Sequence, residues 1–147
     1  MKRNIDKLIE LVSNFEGFSK KMYKDAAGYA TIGFGHKMKE GEALDRVISK
    51  DEALSLLKDD LVTAMDAVEL FVVVPLTDPQ FNALTSFVYN VGVSAFKKST
   101  LLRKLNDGDY ASVPKELIRW IHADGKILKG LVNRREAEGK LFSGIMK

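Results

Sequence analysis

The 147-residue chain has no cysteine, two histidines, three prolines and one tryptophan. Without cysteine there is neither a disulfide framework nor a thiol nucleophile. His36 and His122 are too far apart to form a ligand cluster, so no metal is expected, and no cofactor motif is present. No apolar run reaches the roughly eighteen residues that span a bilayer. Met1 to Lys7 begins with positive charge but lacks the apolar core of a secretion signal, so accumulation in the cytoplasm is expected. Repeats and low-complexity segments are absent too. What remains is an ordinary globular composition, 46% hydrophobic and 29% charged in 16.4 kDa, which predicts one domain with a substantial core.

Charge is uneven along the chain. Residues 1–96 carry 11 Lys/Arg against 14 Asp/Glu, and residues 97–147 carry 12 against 6. A basic C-terminal part could draw the protein to an anionic polymer. Nucleic acid would answer to the same field, but no binding motif or basic-aromatic stripe supports it.

Helical signals frame the chain. Ile5, Leu8, Ile9, Val12 and Phe15 recur at helical spacing, predicting a helix over residues 4–14 that stops at Glu16-Gly17. Lys37 to Asp45 reads as loop. Ser49-Lys50-Asp51-Glu52 is a capping box before the stripe Leu54, Leu57, Leu61, Met65 and Val68, and Pro75 closes that long helix. Asp78-Pro79 reads as cap and first-turn proline of a helix that is apolar on most sides, hence buried. Ser99 caps the next short helix or contacts ligand. A helix is expected from Tyr110 to His122, broken at Asp124-Gly125-Lys126, and a last one over residues 130–147. Phe81 and Phe87 read as core, Trp120 as a packing anchor, and His122 as surface or packing.

Between the first two helices lies EGFSKKMYKDAAGYATIGFGH, residues 16–36. Met22–Asp25 and Tyr29–Phe34 flank Ala26-Ala27-Gly28, a hairpin signal. A turn centred on Gly28 sets Asp25 opposite Thr31, with Tyr29, Thr31, Gly33 and Gly35 on one face. The two glycines on that face let a ligand approach the backbone. Glu16, Asp25 and Thr31 supply an acid, a second carboxylate and a hydroxyl, which suits hydrolysis of a glycosidic bond. Two acids alone also fit a solvated surface, where acids are usually found.

The same string resembles the catalytic signature of the phage lysozymes, or endolysins (glycoside hydrolase family 24). Glu16, eight residues, Asp25, five residues, Thr31 meets the family pattern, together with Y-K-D, G-Y-x-T-I-G and G-H. SFVYNVG at 86–92, STLLRKLN at 99–106 and the stretch from Arg119-Trp120 to Arg134-Arg135 resemble further family segments.

The resemblance implies a mainly helical α+β, lysozyme-like fold in a single domain. Residues 1–48 would form a small lobe with a β-hairpin, 49–73 a connecting helix, and 74–147 a helical lobe. It implies a muramidase that hydrolyses the β-1,4 bond between N-acetylmuramic acid and N-acetylglucosamine in peptidoglycan. Glu16 is then the general acid, and Asp25 with Thr31 holds the attacking water. Burial beside Phe15 or Phe18 favours the protonated acid, whereas Arg134, aligned with a family arginine near it, favours the carboxylate. Substrate-binding candidates are Tyr29, Gly35, His36, Tyr89, Asn90, Ser99 and Arg134, with His36 a hydrogen-bonding residue of the cleft wall. The enzyme is expected to be a monomer that stays in the host cytoplasm until a holin releases it to the wall. Some relatives carry a hydrophobic export anchor, which is not expected here. Two rival readings are a lytic transglycosylase cutting the same bond and a membrane-active cationic protein. The first has no use for the water that Asp25 and Thr31 would hold. The second is weakened by Glu136 and Glu138 within its basic helix.

Overall fold

The structure, a computed structural model, describes residues 2–42 and 46–144. The loop expected over 37–45 and the helix expected over 130–147 thus run partly outside the described residues. The chain forms two compact units: one is Ile9–Val62, and the other joins the residues up to Leu8 with those from Thr63 onward. Two helices, α1 (Asp6–Glu16) and α2 (Lys50–Phe71), each pass from one unit into the other.

In the N-terminal unit, α1 runs one half-turn further than the apolar periodicity requires and ends on Glu16 itself. Gly17, at φ +72°, then redirects the chain, a backbone conformation that costs glycine least. A three-stranded antiparallel sheet follows, β1 (Ser19–Lys24), β2 (Ala30–Gly33) and β3 (His36–Lys37), in the order β1-β2-β3. Gly33 lies against α2, where an added β-carbon would stand 3.1 Å from Ala53 Cβ. The Phe18 and Phe34 rings meet at a tilt, 5.3 Å between centroids. Ile32, Phe34, Ile48, Ala53, Leu57 and Leu61 are buried. Ser49 Oγ accepts the Glu52 amide at 3.1 Å, as a cap should, while the Glu52 carboxylate is taken by Arg46.

The hairpin register differs from the expected one. Tyr23 opposes Thr31 and Lys24 opposes Ala30, and Asp25 N–H donates to Tyr29 O at 2.9 Å. Asp25 is therefore not opposite Thr31. The loop is Ala26-Ala27-Gly28, and its positive-φ glycine, at +88°, is the last loop residue rather than the centre, as three-residue hairpins require. Moving the centre by one residue moves the partner by two. Because side chains alternate with a period of two, the face is preserved. Asp25 becomes a diagonal neighbour of Thr31, a relation that places β-carbons about 7–8 Å apart.

The C-terminal unit is helical: α3 (Asp78–Val91), α4 (Val93–Lys97), α5 (Thr100–Asn106), a 3-10 turn (Tyr110–Ser112), α6 (Val113–Leu117) and α7 (Lys129–Phe142). Every residue from Phe81 to Val88 on α3 is buried, as an all-round apolar helix must be. Its N-cap is Thr77, not Asp78. Thr77 Oγ1 accepts the Gln80 amide at 3.2 Å and Gln80 Oε1 accepts the Thr77 amide at 2.9 Å. That reciprocal box satisfies two orphan donors and frees Asp78 to accept from Arg3 at 3.2 Å. The helix expected from Tyr110 to His122 stops at Leu117. His122–Ala123 and Lys126–Ile127 instead pair as β4 and β5 around Asp124-Gly125, both at positive φ. Asp-Gly is a favoured two-residue hairpin turn, a stronger signal than the break inferred from it. Trp120 packs edge-on against Phe87 at 5.4 Å, the anchor expected of it, and His122 is exposed.

Candidate active site

The N-terminal unit holds Glu16, Asp25, Tyr29, Thr31, Gly35 and His36, whereas Tyr89, Asn90, Ser99 and Arg134 belong to the C-terminal unit. Phe15 and Phe18, the apolar neighbours expected to bury Glu16, are themselves 37% and 42% exposed. Gly35, in the turn between β2 and β3, has φ +81°. A β-carbon there would stand 2.9 Å from Glu16 Oε1, so the Glu16 carboxyl lies directly on this turn.

Asp25 is half-buried and its orientation is fixed by backbone. Oδ1 accepts the Ala27 amide at 3.0 Å and the Tyr29 amide at 2.9 Å. Oδ2 makes no hydrogen bond to another described residue. Thr31 is buried at 2% exposure, and its hydroxyl donates to Tyr29 O at 2.9 Å. With its proton committed, Thr31 Oγ1 faces any ligand as an acceptor. Tyr29 is exposed, with Lys37 Nζ 4.6 Å from its ring centroid.

His36 spends both ring nitrogens on protein. Nδ1 lies 2.8 Å from Asp60 on α2, and Nε2 lies 3.1 Å from Glu42. Burial pushes its pKa down, but hydrogen bonds and charge from the two carboxylates prevail and raise it. Asp60 is itself raised by burial, against the pull of His36. Neither partner was anticipated, because nothing local in the sequence ties residues 42 and 60 to residue 36.

In the C-terminal unit, Asn90 is exposed and its Oδ1 accepts from Arg135. Arg135 donates only, so the Asn90 amide nitrogen points away from it as a donor. Arg134 is buried and reaches Glu138 at 3.4 Å and Ser86 O at 3.3 Å. Arg135 meets Glu138 at 2.6 Å, and Ser86 Oγ donates to the same carboxylate at 2.6 Å. The signal for Glu138 was its spacing, three and four residues beyond two arginines. Ser99 is occupied as a cap: its Oγ accepts the Leu102 amide at 3.1 Å and donates to Phe96 O at 2.7 Å. It also borders a cavity of about 380 Å³ shared with Lys98, Glu116, Arg119 and Trp120. Tyr89 is half-buried near the end of α3.

The family model described as phage lysozyme matches residues 13–138. The chain belongs to the phage lysozyme family. The mainly helical α+β fold is that of its solved relatives. Among relatives, the endolysin of Bacillus phage B103 is 43% identical over 136 residues, 91% of this chain and 51% of that protein. The SAR-endolysin of Escherichia phage Mu is 44% identical over 130 residues, 88% of this chain and 75% of that protein. The chain thus spans about half the length of the first of these relatives. The muramidase domain of SpmX from Asticaccaulis excentricus superposes with a TM-score of 0.86 at 32% identity, covering 96% of this chain and 98% of that one.

Proposed function

We propose that this family member is an endolysin: a muramidase that hydrolyses the β-1,4 bond between N-acetylmuramic acid and N-acetylglucosamine in bacterial peptidoglycan. The observation that carries the assignment is the pair of acceptors on one hairpin face. Among the described residues Asp25 Oδ2 makes no hydrogen bond, and Thr31 has already donated its proton to Tyr29 O. Two acceptors can take both hydrogens of one water and leave its lone pair to attack the sugar. Glu16, on the neighbouring turn, donates the proton that the leaving oxygen needs. Such a division of labour is inverting chemistry, which requires carboxyl groups roughly 6.5–9.5 Å apart.

The exposed Asn90 amide supplies a donor in the C-terminal unit for acceptors on the glycan or its peptide stems. Release from the host cytoplasm by a separate permeabilising protein, a holin, completes the reading. Among the described residues no helix is long and apolar enough to cross a membrane. The protein acts as a monomer.

Products from purified peptidoglycan test the assignment. Reducing ends of inverted anomeric form are expected, and anhydro ends would instead reveal a lytic transglycosylase. Glu16→Gln keeps the shape of the acid but has no acidic proton to give, so turnover should fall by about 10²–10⁴. A folded Glu16→Gln protein with near-normal turnover would remove Glu16 from the mechanism. Expressed in bacteria, wild type should lyse cells only after the inner membrane is permeabilised. Lysis by Glu16→Gln without permeabilisation would move the activity to the membrane.

A further inference from the structure

At the level of Thr31 one row of side chains runs across all three strands. Thr31 pairs with Tyr23 on β1 and with Lys37 on β3, and residues paired in register share a face. The face that holds the acceptor pair therefore also carries a phenol and an ammonium, one on each side of the threonine. Lys37 is exposed, and among the described residues it forms no ion pair with a carboxylate. Its Nζ lies 4.6 Å from the centroid of the Tyr29 ring, diagonally across the same face. Asp25 approaches Tyr29 from the other side, where its N–H donates to Tyr29 O at 2.9 Å.

A lysine on β3 has a ready structural explanation. β3 is an edge strand, and a charge there discourages pairing with another chain. That role needs only a solvated ammonium. It does not need one turned inward over an aromatic ring beside Asp25 and Thr31. The ring holds the cation by its negative face without neutralising it. Lys37 is thus both placed and still fully charged, which suits it to a carboxylate supplied by a ligand.

We propose that Lys37 is a specificity-determining residue: its ammonium, placed by Tyr29, takes a carboxylate of the substrate and favours anionic over neutral glycan. The proposal rests on the hairpin face being the peptidoglycan site. Peptidoglycan carries carboxylates on its peptide stems and, where a stem has been removed, on the lactyl group left behind. Specificity is a difference of affinities, so even one exposed ion pair contributes a measurable preference.

The test uses three substrates. They are intact peptidoglycan, the same material with its carboxylates converted to amides, and glycan strands stripped of their stems so that the lactyl carboxylates are free. Wild type should lose about two- to fivefold in kcat/KM on amidation, the size of an exposed ion pair. Lys37→Gln should show that loss already on intact peptidoglycan, in KM more than in kcat, and no further loss on amidation. Lys37→Arg should restore the preference. Salt at about 1 M, where screening acts within roughly 3 Å, should abolish it. Tyr29→Leu frees the ammonium and should weaken the preference, with the double variant no worse in preference than Lys37→Gln. If the stripped strands are preferred to the amidated material, the carboxylate is the lactyl one. If only intact peptidoglycan is preferred, it belongs to the stem.

Lys24 is the control, an exposed lysine that opposes Ala30 and so lies on the other face. Lys24→Gln removes the same charge and should keep the wild-type preference. An equal loss in Lys24→Gln and Lys37→Gln would mean that net charge alone draws the substrate, and would overturn the proposal. So would an undiminished preference in folded Lys37→Gln. Cleavage by wild type without any preference sinks the role of Lys37 alone, whereas no cleavage of any of the three substrates sinks the muramidase reading and this proposal with it.

Discussion

His36 in the N-terminal unit and Glu138 in the C-terminal unit are both buried among charged partners, but the two clusters respond differently to pH. At His36 an imidazole sits between two carboxylates that are themselves partly open to water. The cluster's positive charge therefore depends on a proton. At Glu138 one carboxylate with no exposure faces two buried guanidiniums and a hydroxyl. Burial raises the Glu138 pKa against the pull of the arginines and lowers that of Arg135, but guanidinium keeps its charge throughout the working range. One unit thus fastens its site residues with a titratable bond and the other with permanent charge.

The largest effect should come from breaking the permanent cluster. Glu138→Ala leaves Arg135, at 1% exposure, buried without the carboxylate it meets at 2.6 Å. Removing one partner of such a group typically costs about 3–5 kcal/mol. Denaturant unfolding should show the same loss at pH 6 and pH 9. A loss that vanished at pH 9 would mean that the two clusters do not differ as described.

Asp60→Asn should come next. The amide can still hydrogen-bond His36 but brings no charge, and a hydrogen bond to a charged group is worth about 1.5–3 kcal/mol. The sign follows from the raised His36 pKa. Stabilisation by the imidazolium is complete below its unfolded value of about 6.5. It is lost as pH rises through the higher folded value. The gap in Tm between wild type and Asp60→Asn should be widest near pH 6 and narrow by pH 9. A constant gap would mean that His36 is neutral in the folded state.

Thr77→Ala should cost least, about 1 kcal/mol for a lost N-cap. It touches neither cluster, so its effect on Tm should not change between pH 6 and pH 9. Any pH dependence there would measure the background on which the Asp60 result rests.

Local rules in the sequence made much of the candidate site's local structure legible. Gly17 ends α1, so Glu16 is legible as a residue at a helix end. The spacing of Glu16, Asp25 and Thr31 is legible as well. The hairpin was legible but its phase was not, because Gly28 marks where positive φ is needed without saying that it closes the loop. Asp25 decides that by capping the amides of Ala27 and Tyr29. Strand β3 escaped notice because two residues carry no periodicity. The β4–β5 hairpin escaped because the apolar residues before Asp124-Gly125 fit a helix equally well.

What the sequence alone determined is what depends on neighbours along the chain: the end of α1, the long stripe of α2, the buried α3, the Ser99 cap and the acid–acid–hydroxyl spacing. These follow from helical periodicity, capping and turn chemistry, all acting within a few residues. Only the tertiary structure decided that His36 lies between Glu42 and Asp60, that Glu138 is the common partner of Arg134, Arg135 and Ser86, and that Glu16 rests against Gly35. Burial decides those pairings, because a desolvated charge must find its partner among whichever groups packing brings within reach, however distant they are in sequence.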